Sequence, residues 1–138
     1  MTIAIRSAGE IKELGGSDFV HSFFSTISYH LEPDGWGTRY PVLMNALYQG
    51  QLSAEDAGAA LEELADVQMR LNQFPPSDVV WDIDDLAATP PWGRNISSDI
   101  TSLGNYFVTS SGSDLIDVLR ESISRLRSSG GIARLESF

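Results

Sequence analysis

Apolar residues recur at helical spacing along much of the chain, and this pattern predicts three amphipathic helices. The first helix is predicted over about residues 18–31, after Ser17 as its N-cap. Its apolar stripe consists of Val20, Phe24, Ile27 and Leu31, and its other side carries Ser22, Ser25 and Thr26. A last helix is predicted after Ser113 as N-cap, with a buried face of Leu115, Ile116, Leu119, Ile123 and Leu126.

The middle helix shows the strongest contrast between its two sides. It is expected to begin after Ser53 as N-cap and to continue to about Phe74, where two prolines prevent further helix. Its apolar side is predicted to consist of Ala57, Leu61, Leu64, Gln68 and Leu71. Glu55, Glu62 and Asp66 lie on the opposite side, so this helix is expected to expose an acidic stripe.

Three short stretches predict strands. TIAIRS, near the N-terminus, alternates apolar and polar residues, while DVVWDI (78–83) and NYFVTS (105–110) are rich in β-branched and aromatic residues. A short helix is expected after Pro41, in PVLMNALYQG. The terminal IARLESF is expected to form either a short strand or part of a loose tail over residues 128–138.

The order of these elements indicates the fold class. Helices outnumber strands and do not alternate regularly with them, which favours an α+β fold over a doubly wound sheet. A chain of 138 residues is close to the ordinary size of one domain. We therefore expect a single domain over residues 1–138, with about four helices packed on a small, mostly antiparallel sheet.

Composition narrows the class of partner. The formal net charge is −10, and Lys12 is the only lysine, which argues against nucleic-acid binding because affinity for phosphates depends on Lys and Arg. A basic protein partner would be attracted instead. Cysteine is absent, and no signal peptide or membrane-spanning apolar run is present in the sequence. A soluble protein of the cytoplasm is expected, with no cofactor or membrane association; the oligomeric state is left open.

The choice between an enzyme and a binding protein depends on how Asp82, Asp84 and Asp85 are interpreted. VVWDIDDL is similar to the start of haloacid-dehalogenase-type phosphatases, in which two aspartates work with Mg²⁺. The sequence departs from that pattern at Leu86, and no lysine follows Asp82. A solvated strand end or helix start, in which Asp82 or Asp84 caps a short turn at DDLAA, is the simpler interpretation.

A third interpretation is an anionic surface for a cationic partner. Residues 53–99 hold ten acidic and two basic side chains, so −8 of the net charge lies in one third of the chain. The predicted surface consists of Glu55, Glu62, Asp66, Asp82, Asp84 and Asp85. Trp36 and Trp92 lie in loops flanked by Gly and Pro and are candidate hydrophobic anchors. His21 and His30 are expected to be ordinary boundary histidines, and neither a metal ligand nor a catalytic residue is predicted.

Five collinear segments carry a resemblance to a known family. They are DFVHSFFSTISYHLE, GWGTRYPVLMNALYQG, WDIDDL, PPWGRNIS and NYFVTSSG, and they span roughly residues 15–120. Together they resemble the immunity protein 70 family of bacterial polymorphic-toxin and contact-dependent inhibition systems. The resemblance implies a small, non-enzymatic α+β protein of the cytoplasm that binds and neutralises a cognate toxin.

The charge and the resemblance lead to one hypothesis and two alternatives. The leading hypothesis is an immunity protein whose acidic surface meets a basic, nuclease-type toxin. The alternatives are a Mg²⁺-dependent, phosphatase-like hydrolase that uses Asp82 and Asp84, and an adaptor or accessory protein that binds an unrelated partner.

Overall fold

A four-stranded antiparallel sheet brings the two ends of the chain together. The computed structural model describes residues 1–138, and its strands are Thr2–Ser7 (β1), Glu10–Gly16 (β2), Leu52–Ser53 (β3) and Ile132–Ser137 (β4). They lie in the order β2-β1-β4-β3, so the C-terminal strand is internal, with Ile5 opposite Leu135. Of the two alternatives for IARLESF, the structure has the strand and not the loose tail.

The β1–β2 hairpin is an element that the sequence pattern did not predict. Ala8 and Gly9 both have positive φ, of 52° and 80°, and form a two-residue turn of the kind whose twist suits a hairpin. Of the residues in β2, only Leu14 is buried. The sequence of β2, EIKELGG, lacks a clear alternation of apolar and polar residues. Its conformation is therefore determined by pairing with β1 and not by intrinsic β propensity.

Three α-helices occupy the positions that the apolar spacing predicted. They are Ser17–Leu31 (α1), Ala57–Leu71 (α2) and Leu115–Ser129 (α3), and a π-helix, Val42–Leu47, follows Pro41. With the antiparallel sheet they confirm the α+β class. A buried cluster of 26 apolar residues joins helices and sheet, including Ile5, Phe23, Leu64 and Leu119. None of the helices combines the length and apolar character needed to cross a membrane.

The predicted N-caps are wrong in detail. Gly16, Asp56 and Asp114 occupy the N-cap positions of the three α-helices, and none makes a side-chain capping hydrogen bond. Ser17 is the first residue of α1 and not its N-cap. Its N–H donates to the Met1 carbonyl at 2.9 Å, and this bond joins the helix to the sheet. Ser53 precedes a 3₁₀ turn, Ala54–Asp56, so α2 begins and ends inside the range predicted for it.

Two predicted strands do not form. Residues 78–83 and 105–110 belong to no sheet, and the second stretch has only an isolated bridge between Val108 and Asp114. Their aromatic and β-branched residues pack against the helices instead. Phe107 is buried, and its ring lies 5.2 Å from that of Phe23. A high β propensity indicates only that a residue suits a half-buried, extended segment, and such a segment can also pack against a helix.

Candidate functional site

The polar side of α1 holds an extended segment of the chain against the helix. The Ser22 hydroxyl donates to the Val80 carbonyl at 2.8 Å, and the Thr26 hydroxyl both donates to that carbonyl and accepts from the Val80 N–H, each at 3.1 Å. Ser25 accepts from the Ile83 N–H at 3.1 Å. These serine and threonine side chains are buried, so the side of α1 opposite its apolar stripe is an internal contact and not a solvated face.

His21 connects this segment to the π-helix. Its Nε2 lies 3.1 Å from an Asp82 carboxylate oxygen, and its Nδ1 lies 2.7 Å from the Tyr48 hydroxyl. An ionised carboxylate only accepts, so in the neutral ring Nε2–H donates to Asp82 and the Tyr48 hydroxyl donates to Nδ1. Hydrogen bonds from the Asp84 N–H and from His21 lower the pKa of Asp82. Burial, with the nearby charges of Asp82 and Asp84, raises the pKa of Tyr48.

The same residues form a set with metal-ligand chemistry. His21, Asp82 and Asp84 each place one ligand atom within 4.8 Å of the others. Imidazole and carboxylate groups suit divalent ions, but here Asp82 already accepts hydrogen bonds from His21 and from the Asp84 backbone. The phosphatase-like alternative also required a strand to deliver the aspartates, and residues 78–83 form no strand. In this structure the hydrogen bond between His21 and Asp82 anchors the segment to α1.

Residues 78–99, which we call the acidic segment, present charge at the surface. Asp84 and Asp85 are exposed, the Asp84 side chain by 86%. Two of the three aspartates of DIDD accept a hydrogen bond from the backbone N–H two residues later: Asp82 from Asp84 at 2.9 Å, and Asp85 from Ala87 at 3.2 Å. A turn thus forms at DDLAA as expected, but Asp85 caps it and not Asp82 or Asp84, and the exposed carboxylates of Asp84 and Asp85 face the solvent.

The two candidate tryptophan anchors differ in their exposure. Trp36 lies half-buried against the core, where its indole N–H donates to the Met44 carbonyl at 3.3 Å. Trp92 is 38% exposed, stands edge-on to Trp81 at 5.3 Å, and donates its indole N–H to the Tyr106 hydroxyl at 2.8 Å. Trp92 therefore offers a fixed aromatic surface, whereas Trp36 is largely used within the fold.

Tyr106 lines two cavities of the protein. The smaller, about 330 Å³, is mainly apolar and is lined by Phe19, Trp92, Asn95, Ile96, Ile100, Tyr106 and Val108. The larger, about 650 Å³, is bounded by the acidic segment and contains Arg94. Tyr106 and Ile96 line both, so the cavities are neighbours on one side of the molecule.

Comparison with known proteins decides the family. A family model described as immunity protein 70 matches residues 5–133 of the 138. The chain belongs to the immunity protein 70 family. It is accordingly an immunity protein directed against a toxin, and the resemblance noted in its sequence is confirmed. No curated protein and no solved structure gives a significant match.

The remaining acidic residues predicted for the toxin-binding surface of this immunity protein have different environments. Glu55 and Glu62 are exposed and make neither a hydrogen bond nor a salt bridge. Asp66 is engaged within the fold: it accepts from the Tyr40 hydroxyl at 2.6 Å and from Arg70 at 2.9 Å. Among the predicted acids, Asp66 is thus the one already neutralised by internal cations.

Asp66 also gives this immunity protein a predictable acid response. The hydrogen bond from Tyr40, together with Arg70, holds the pKa of Asp66 below its ordinary value. A depressed folded-state pKa stabilises the fold above the unfolded-state pKa, and this stabilisation is lost as pH falls through the folded-state pKa. We expect Asp66→Asn to lower the free energy of unfolding at neutral pH, with a difference from the parent that shrinks below about pH 4.

Urea unfolding at several pH values measures this difference, with Glu62→Gln as the control. Glu62 lies on the same helix but has no partner, so its substitution should give a small difference that does not depend on pH. A deficit for Asp66→Asn that stays constant from neutral to acid pH would contradict the assignment.

Sequence reasoning missed Arg94 and Tyr106 as residues that line the larger cavity of the immunity protein. Tyr106 belongs to NYFVTS, for which the sequence predicts a strand, and its contribution to both cavities depends on packing that no local pattern records. Arg94 had a usable indication in the sequence: it is the only basic residue between Arg70 and Arg120.

Proposed function

We propose that this immunity protein neutralises a basic, nuclease-type toxin in the cytoplasm by binding it through the acidic segment, without catalysis. A nuclease holds phosphates in a basic cleft, and carboxylates presented in the same arrangement can occupy that cleft. Opposite charges also speed the encounter, which matters for a protein whose task is to capture a toxin. Asp82, Asp84 and Asp85 form the centre of the proposed surface, with Trp92 as its apolar anchor.

The observation that carries the proposal is the way the fold presents the acidic segment. Residues 79–114 contain no helix or strand, and so long an irregular connection in a compact domain is usually functional. Buried hydroxyl groups of α1 hold the beginning of the acidic segment in place. Exposed carboxylates and exposed apolar side chains, among them Leu86 and Trp92, therefore follow a backbone that α1 anchors at Val80 and Ile83. Such a surface binds without a large ordering cost.

Glu55 and Glu62 belong to the proposed surface as outlying charges. Both are exposed, and neither is neutralised by a cation of the chain, so they add to the negative potential that a basic partner meets. Asp66 contributes less, because Arg70 neutralises it. We assign Trp36 a supporting role, since its ring packs 5.7 Å from Tyr48, beneath the His21 and Asp82 anchor.

The test is reconstitution with the toxin domain encoded directly upstream of this gene. Co-expression should restore survival, and the purified proteins should form a stoichiometric complex whose affinity falls as salt is added. The toxin should degrade nucleic acid alone and lose that activity in the complex. A toxin without nuclease activity would remove the nuclease assignment, and a complex insensitive to salt would remove the acidic surface.

A further inference from the structure

The larger cavity combines an apolar wall with a few polar groups. Its volume of about 650 Å³ is within the range of ligand pockets in proteins. The side chains that matter are Ser77, Val79, Leu86, Thr89, Arg94 and Tyr106. One guanidinium and three hydroxyl groups, those of Ser77, Thr89 and Tyr106, thus lie among aliphatic and aromatic carbon, so the cavity is chemically asymmetric.

Arg94 differs from most arginines of this chain. Six of the eight form salt bridges, and the two that do not are Arg94 and Arg127. Arg94 lies in a segment rich in aspartates, yet none of them pairs with it, and its side chain makes no hydrogen bond within the fold. Its donors therefore remain available for an external acceptor, and a carboxylate matches the planar guanidinium best.

We propose that this cavity receives a protruding loop of the toxin, which inserts an apolar side chain and brings a carboxylate to Arg94. The proposal rests on the proposed function, because the occupant is the same toxin. The apolar part of the loop packs on Val79, Leu86 and Tyr106, while Ser77 and Thr89 are polar neighbours of the carboxylate. An acidic group on the toxin is thus required within an otherwise basic binding face.

This arrangement separates attraction from recognition. The acidic segment attracts any basic protein, and such long-range attraction mainly increases the association rate. A single buried pair between Arg94 and a toxin carboxylate favours one partner and one orientation, because a partner without the carboxylate leaves the guanidinium unpaired. Specificity therefore depends on the one basic residue of the acidic segment.

The chemistry of the cavity is testable with small probes. Phenylacetate should shift the NMR signals of the Arg94 side-chain N–H groups and of the Trp92 indole N–H, which donates to the cavity residue Tyr106. Benzylamine, of similar shape and opposite charge, should not shift them, even though the protein is acidic. Arg94→Gln should abolish the response and Arg127→Gln should leave it intact. No response to phenylacetate, or an equal response to both probes, would overturn the proposal.

Association and dissociation rates with the upstream toxin test the proposed occupant. Arg94→Glu makes the acidic segment more negative, so attraction alone predicts faster association and tighter binding. The cavity proposal predicts a dissociation rate raised about tenfold or more. Arg127→Glu, with the same change in net charge, is the control and should leave dissociation unchanged. An Arg94→Glu complex as long-lived as the parent overturns the occupant, whereas a parent protein that forms no complex overturns the proposed function itself.

Discussion

Replacement of Glu32 by alanine is expected to lower the free energy of unfolding by about 3–5 kcal/mol. Glu32 is 3% exposed, and its carboxylate accepts three backbone N–H groups: from Gly37 at 3.0 Å, Arg39 at 3.1 Å and Tyr40 at 3.0 Å. Removal of the carboxylate leaves these N–H groups without their acceptor, and each buried, unsatisfied donor costs about 1–3 kcal/mol. Glu32→Gln should be intermediate, because an amide retains one acceptor oxygen.

Urea unfolding measures the loss, with Asp34→Ala as the matched control. Asp34 lies in the same loop, is exposed and has no partner, so its replacement should change the free energy of unfolding by less than about 0.5 kcal/mol. Similar stabilities for the two variants would contradict the role assigned to Glu32. The loop matters beyond its own stability, because it delivers Tyr40 to Asp66 and leads into the π-helix.

The π-helix depends on a second internal carboxylate. Glu63, on α2, accepts the backbone N–H groups of Val42 and Leu43, at 3.3 and 2.9 Å, at the start of that helix. Free N–H groups at a helix N-terminus need such acceptors, and here the acceptor comes from another helix. Burial raises the pKa of Glu63. The loop and the π-helix, which ends just before Tyr48, the partner of His21, are thus fixed by carboxylates that no local pattern in the sequence identifies.

The sequence predicted the helices better than the strands, for a physical reason. A stripe such as Val20, Phe24, Ile27 and Leu31 repeats every turn, and only a helix places these residues on one side. A short apolar stretch such as VVW has no comparable period, because an extended segment can pack on a helix as well as in a sheet. In this fold the backbone of Val80 makes its hydrogen bonds with the hydroxyl groups of Ser22 and Thr26 and not with a neighbouring strand.

The site was predictable in part. Charge counting placed most of the net negative charge in residues 53–99, which include the acidic segment, because net charge does not depend on the fold. It did not distinguish Asp66, which Arg70 neutralises, from Asp84, which pairs with no arginine or lysine, since that distinction requires the position of Arg70 in three dimensions. The polar side of α1 was visible as Ser22, Ser25 and Thr26, but its burial depends on a segment far away in sequence.

Simultaneous reversal of Asp84 and Asp85 to lysine is expected to slow association with the toxin about 10- to 100-fold. Both side chains are exposed, and the bonds of this turn to the rest of the fold are made by Asp82 and the backbone. The double variant should therefore fold normally while it changes the charge of the acidic segment from negative to near neutral. Asp82 is left unchanged, because its loss would also disrupt the anchor to His21.

Stopped-flow association at low and high salt measures the effect, since screening reduces the contribution of exposed charges. The difference in association rate between the parent and the double variant should shrink as the salt concentration rises. The control is Asp34→Lys with Glu121→Lys, which produces the same net charge with two exposed, unpartnered carboxylates elsewhere. If the control slows association equally, total charge is what the toxin senses. If only the Asp84 and Asp85 variant does so, the toxin approaches over the acidic segment, because the two proteins differ only in where the charge lies.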